Sequence, residues 1–179
     1  MPTPPDFTAY TPLAASTLNK VGMWLVKTQT VGSGVSSVTV TGAFSADYDN
    51  YRIIYANGTS SNTGSLNLRL GAATTNYSNS TVYTVFATGG VASTFNNGGS
   101  SFVYAGATDA TNGTFLTVDL FSPFLTRNTG YGGSFIVTDV AGHTGGIHKT
   151  AASYTDFTII PGAGTLTGGT IFVYGYNNG

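Results

Sequence analysis

His143 and His148 are the only histidines in the chain, and they sit in Gly142-His143-Thr144-Gly145-Gly146-Ile147-His148-Lys149. On a strand, side chains alternate between faces, so an odd spacing sends these two rings to opposite sides. Two histidines on opposite faces do not form a zinc site, and the chain has no Cys and no Glu to complete one. Asp47 and Asp49, in Ser45-Ala46-Asp47-Tyr48-Asp49-Asn50, open like a calcium loop. The sixth-position Gly and twelfth-position Glu of such a loop are missing, so the segment reads as an Asx-rich turn. Ser, His and Asp are all present, but no Gly-x-Ser-x-Gly elbow presents a nucleophile. Gly162-Ala163-Gly164-Thr165-Leu166-Thr167-Gly168 approaches a dinucleotide fingerprint but misses its spacing, and it joins two strand patterns, so it reads as a hairpin loop. The acids are seven scattered Asp with no marked acid–base pair. These residues predict no catalytic centre, no metal and no cofactor, and the expectation is a protein that is not an enzyme.

Charge narrows the partners further. Lys and Arg number 6 against 7 acids, a net charge of −1, and charged residues make up 7% of the 179-residue chain. That balance supplies no electrostatic attraction to nucleic acid or an anionic membrane. No apolar run reaches the length of a membrane span. Met1-Pro2-Thr3-Pro4-Pro5-Asp6 lacks the basic and apolar regions of a signal peptide. Four Asn-x-Ser/Thr sequons, at Asn57, Asn76, Asn79 and Asn112, are what a Ser- and Thr-rich chain produces by chance. Carbohydrate remains a candidate ligand. Tyr, Asn and Asp side chains suit sugar rings, and Tyr77-Ser78-Asn79 and Asn128-Thr129-Gly130-Tyr131 read as exposed loops of that composition.

The elements that position these residues are mostly strands. Residues 1–22 form a first unit: an extended, Pro-rich arm, then a short helix over 12–21 that starts at Thr11-Pro12 and stops at Gly22. Leu13 and Leu18 lie on one stripe of that helix. Residues 23–179 form a β domain. Leu66, Leu68 and Leu70 alternate with Asn67 and Arg69, and Val38 and Val40 with Thr39 and Thr41. About ten such runs are separated by Gly- and Asn-rich punctuation, including Asn57-Gly58, Asn96-Asn97-Gly98-Gly99, Gly132-Gly133 and Gly145-Gly146. With no helical pattern between strands, the expected fold is all-β, an antiparallel β-sandwich.

Two strands are apolar on both faces. Leu116, Val118 and Leu120 take one side of their strand, while Phe115 and Phe121 take the other. Ile171 and Val173 likewise oppose Phe172, Tyr174 and Tyr176. A sandwich has one inner face per sheet, so the second aromatic face needs cover, either from a loop or the N-terminal helix or from another subunit. Phe115, Phe121, Phe172, Tyr174 and Tyr176 are therefore the candidate subunit-interface residues. Near-zero charge also favours an assembly over a free monomer.

Phe7-Thr8-Ala9 followed by Leu13-Ala14-Ala15-Ser16-Thr17-Leu18-Asn19 resembles an N-terminal pattern of tailed-bacteriophage virion proteins, with Ala14 in place of a Thr. Gly22 to Thr30, Val35 to Val38 and Ala43 to Tyr51 are similar to the first strands of small phage structural proteins, and Thr167 to Tyr176 is similar to their last. Between about Asn57 and Ser153 the likeness is one of composition. The resemblance implies a jelly-roll-like sandwich, usually a homotrimer, displayed on the virion after assembly in the bacterial cytoplasm, with no cofactor and no catalytic residue. The expected role is a capsid decoration or head-fibre protein docked on another virion protein, anchored by apolar burial of Phe7, Leu13, Leu18 and Trp24. The alternative is a tail-fibre or baseplate protein that binds a host glycan.

Overall fold

A computed structural model describes residues 22–176 of the chain. The arm and helix expected before Gly22, with Phe7, Leu13 and Leu18, lie outside the described residues. Within them the protein is all-β, with no helix, and all its strand pairs are antiparallel.

The strands are β1 (Trp24–Thr30), β2 (Val38–Val40), β3 (Asn50–Ser60), β4 (Gly64–Leu70), β5 (Tyr77–Val85), β6 (Gly90–Gly99), β7 (Phe102–Thr108), β8 (Thr114–Phe121), β9 (Arg127–Val137), β10 (Val140–Ala152), β11 (Phe157–Pro161), β12 (Leu166–Thr167) and β13 (Thr170–Tyr176). Hydrogen bonding links them into one thirteen-stranded sheet with two paths. The longer path runs β1-β13-β3-β8-β9-β10-β5-β6. The shorter runs β2-β11-β4-β7 and joins the longer at β8 through a single residue pair, Ala107 with Phe115.

Alternation placed the core correctly. Leu66, Leu68 and Leu70 are fully buried, as are Tyr51, Ile53 and Tyr55 on β3 and Val118 and Leu120 on β8. All belong to one buried cluster, which also takes in Val38 and Val40 of β2 and Phe157 and Ile159 of β11. Both paths thus bury a face in the same core. Phe102 on β7 stacks on Tyr131 of β9 at 4.2 Å and meets Tyr77 of β5 edge-on at 4.9 Å. Such aromatic pairs stabilise beyond the area they bury. Polar side chains also cross between the paths. Asn79 on β5 donates from Nδ2 to the Val103 carbonyl (2.7 Å) and accepts from the Val103 N–H (3.1 Å). The Tyr77 hydroxyl accepts the Leu70 N–H (2.8 Å). Burial pushes the Tyr77 and Tyr55 hydroxyls up to about 12, so both stay protonated.

The strand count and several boundaries differ from the expectation. Asn57-Gly58 is a bulge inside β3: Asn57 has φ 61°, and a Cβ on Gly58 would fall 1.9 Å from the Tyr55 hydroxyl. Asn96 to Gly99 closes β6 instead of separating strands. Gly132-Gly133 and Gly145-Gly146 lie inside β9 and β10, where a Cβ on Gly133 would fall 2.5 Å from the Thr117 carbonyl oxygen. At Gly133 and Gly146 the backbone of the neighbouring strand, not a turn, leaves no room for a side chain. The segment 162–168 does connect strands, yet it is not a hairpin, because β11 pairs β2 and β4 while β12 pairs β3.

Candidate interaction surface

The register of the longer path fixes which side chains share its outer face. On β8 the core side takes Leu116, Val118 and Leu120, which leaves Phe115, Thr117, Asp119 and Phe121 outward. Asp119 lies opposite Arg52, and Arg52 opposite Tyr174. Thr117 lies opposite Ile54, and Ile54 opposite Phe172. The five aromatics expected to share a face, Phe115, Phe121, Phe172, Tyr174 and Tyr176, do share it. Phe115 and Phe121 are 45% and 44% exposed, and the three on β13 are half-buried. Trp24 is not among them. It stands opposite Gly175, on the register of the core-facing side of β13, at an exposed sheet edge. Its neighbour Leu25, opposite Tyr174, takes the outer position.

The centre of this aromatic half is polar. The Arg52 guanidinium donates to both Asp119 oxygens, at 2.9 and 2.6 Å, and the Tyr176 hydroxyl donates to Asp119 Oδ1 at 3.4 Å. The bond to Asp119 holds the guanidinium above its ordinary value; burial, then the Asp119 charge, raises the Tyr176 phenol. Two-pronged Arg–carboxylate geometry is the strong form of such a pair.

Beyond β8 the same face continues in another character, which the sequence reading missed. Ser134 lies opposite His143, His143 opposite Val82, and Val82 opposite Ser93. One row along, Ile136 lies opposite Ala141, Ala141 opposite Thr84, and Thr84 opposite Val91. Val82, Val91, Phe95 and Ile136 are exposed, and so is Phe86 in the β5–β6 loop. An open groove of about 530 Å³ runs past Val82, Phe86, Ile136, Ala141 and His143. No Lys, Arg or Asp stands in these rows.

His148, Asp47 and Asp109 are engaged in structure. The odd spacing of the histidines does send them to opposite faces: His143 is exposed on the outer face, and His148 is fully buried. His148 Nε2 lies 3.0 Å from the Thr75 carbonyl oxygen and its Nδ1 lies 3.2 Å from the Tyr154 hydroxyl. Only a protonated Nε2 can bond a carbonyl, so Nδ1 accepts from Tyr154. Burial lowers the His148 pKa against that bond, which favours the neutral ring. Asp47 accepts the Ser45 hydroxyl at 2.9 Å, as a turn would require. Among the described residues no three His or Asp side chains gather as a metal site would need.

Asp109 is the most perturbed carboxylate. It accepts from the Thr138 hydroxyl and from the N–H groups of Thr111 (2.7 Å), Asn112 (2.9 Å) and Thr138 (3.3 Å). Those bonds hold it well below the usual carboxylate range. They tie the β7–β8 connection to the β9–β10 turn and make Asp109 a structural pin.

Tyr77, Asn79 and Tyr131, expected in exposed sugar-facing loops, are buried on β5 and β9. The tyrosines that reach a cleft are others. Tyr83, Tyr104, Phe135, Val137 and Val140 line an apolar cleft of about 200 Å³. Tyr104 holds a left-handed φ of 56°, unusual for a bulky side chain.

Comparison with protein-family models, curated proteins and solved structures finds no match to the chain.

Proposed function

We propose that the chain is a non-enzymatic structural subunit of a tailed-phage virion. It is displayed on the particle as a capsid decoration or head-fibre protein and anchored through residues 1–22. The observation that carries this reading is the outer sheet face. Across β9, β10, β5 and β6 that face exposes Val82, Val91, Phe95 and Ile136, and large apolar side chains left in water in this way are what a subunit of an assembly presents. The resemblance of the N-terminal and C-terminal segments to phage structural proteins points the same way. So does the engagement of His148 and Asp109 in packing and turns, which leaves neither at a reactive site. Because the two paths bury a common core and join through one residue pair, we read the sheet as folded over on itself, in the jelly-roll-like sandwich that the resemblance implies.

Anchoring is tested in the full chain with Phe7→Ser, Leu13→Ser and Leu18→Ser combined. Burying each such side chain contributes about 1.5–3 kcal/mol, so the triple variant should be lost from purified particles while its β domain stays folded. Normal incorporation of the folded variant would overturn the anchor.

The cleft favours a second reading. Aromatic walls with two phenol hydroxyls suit a sugar ring, as a receptor-binding fibre or baseplate protein would need. Tyr83→Ala with Tyr104→Ala should then abolish adsorption to the host and leave particle stability unchanged. Fragile particles that still adsorb would favour the decoration role.

A further inference from the structure

Apart from the two-residue β12, three strands end the sheet among the described residues, and they are unequally protected. β2 is short, at three residues. β1 has seven, broken by a bulge between Leu25 and Lys27 and guarded by the lysine charge. β6 runs ten residues, Gly-Val-Ala-Ser-Thr-Phe-Asn-Asn-Gly-Gly, with no charge and no Pro. It bonds to β5 along one side, and its single irregularity lies at its far end, opposite Tyr77 and Ser78. Charges, prolines, bulges and short length are the devices that keep edges from pairing, and β6 lacks nearly all of them. Its free side carries a row of backbone N–H and C=O groups that only another extended strand satisfies in sequence.

The side chains say which strand. Val91 and Phe95 are 74% and 82% exposed, the highest values among the exposed large hydrophobics. They share the outer face with Ser93, because Thr84, Val82 and Ser80 stand opposite Val91, Ser93 and Phe95.

We infer that β6 is the interface between two copies of this chain, paired antiparallel about a twofold axis through Ser93. In that register Val91 stands opposite the partner's Phe95 on both sides of the axis, and Ser93 opposite the partner's Ser93. Each pair joins an aromatic to a β-branched side chain, a favourable cross-strand combination. A twofold brings like groups together, so a charged strand would repel its copy; β6 carries none. The pairing also joins the apolar surfaces of Val82 and Ile136 from both copies into one continuous sheet face. This inference goes beyond the virion reading and does not depend on it. It makes the unit a dimer, where the resemblance implies three copies.

Light scattering on the full chain decides. The wild-type protein should have twice the 18.4 kDa chain mass. Ser93 is exposed, so Ser93→Lys and Ser93→Asp should each fold, with unchanged circular dichroism, and each alone should fall to 18.4 kDa through self-repulsion at the axis. An equimolar mixture of the two should return to twice that mass. Phe95→Lys, which sets a lysine against the partner's Val91, should also give the single-chain mass. A wild-type monomer, a threefold mass unmoved by these variants, or failure of the mixture to reassociate would each overturn the pairing.

Discussion

The outer face of the long path carries aromatic and aliphatic side chains from end to end, but its two halves handle them differently. Over β13, β3 and β8 the rings of Phe172, Tyr174 and Tyr176 are half-buried around the Arg52–Asp119 pair, which gives that half a neutral, hydrogen-bonded centre of its own. Over β9, β10, β5 and β6 the outward Lys149 donates to the Asn97 side chain at 3.2 Å near the far end of β6, and Ile136, Val82, Val91 and Phe95 stand in solvent. Apolar content alone does not distinguish a finished surface from an interface. An ion pair bonded among half-buried rings marks the first, and large apolar side chains standing in solvent mark the second.

The largest effect comes from beneath the half that exposes Val82, Val91, Phe95 and Ile136. Phe102→Ala removes a fully buried ring that stacks on Tyr131 and touches Tyr77, and should cost about 3–5 kcal/mol in thermal or denaturant unfolding. Asp109→Ala removes the acceptor of four hydrogen bonds at the end of that half, and should cost about 2–3 kcal/mol. Asp119→Ala tests the other half. Arg52 keeps 37% side-chain exposure, so solvent screens the lost pair and the expected cost is only about 1 kcal/mol. Phe95→Ser should change stability by less than about 0.5 kcal/mol, because the ring touches little in the isolated chain. If Phe95→Ser destabilised the monomer as much as Asp119→Ala, the contrast between the halves would fail.

Acid offers a separate probe. The folded His148 pKa lies below its ordinary 6.5, so the unfolded chain binds this proton first. Its contribution is complete above about pH 6.5, declines as pH falls towards the folded value and is flat below that. Asp109 acts only in stronger acid, below its ordinary 3.8, where its stabilisation is lost as pH falls through the depressed folded value. A His148→Asn variant should flatten the first decline in a series of unfolding curves and leave the second.

Legibility followed the cleanness of alternation. Leu66, Leu68 and Leu70, or Ile171 and Val173 against Phe172 and Tyr174, state their faces in the bare chain, and both were placed correctly. The aromatic half of the outer face was therefore readable. The half that ends in β6 was not, because its principal strand hides in turn-like residues. Gly90 to Gly99 holds four Gly or Ser residues and two Asn, and its extended form comes from pairing with β5, not from its own preferences. Gly58 and Gly133 misled for a related reason: each makes room for a neighbour that only the folded sheet supplies.

Trp24 is the chain's single tryptophan, against eleven tyrosines. Its place at the first residue of β1, on an edge and still in contact with water, makes it a built-in optical reporter. Its emission reads out the sheet edge closest to the N-terminal segment, at the opposite end of the path from β6. A blue shift when the protein meets its docking partner would signal cover arriving at β1, and pairing through β6 alone would leave the same light unchanged.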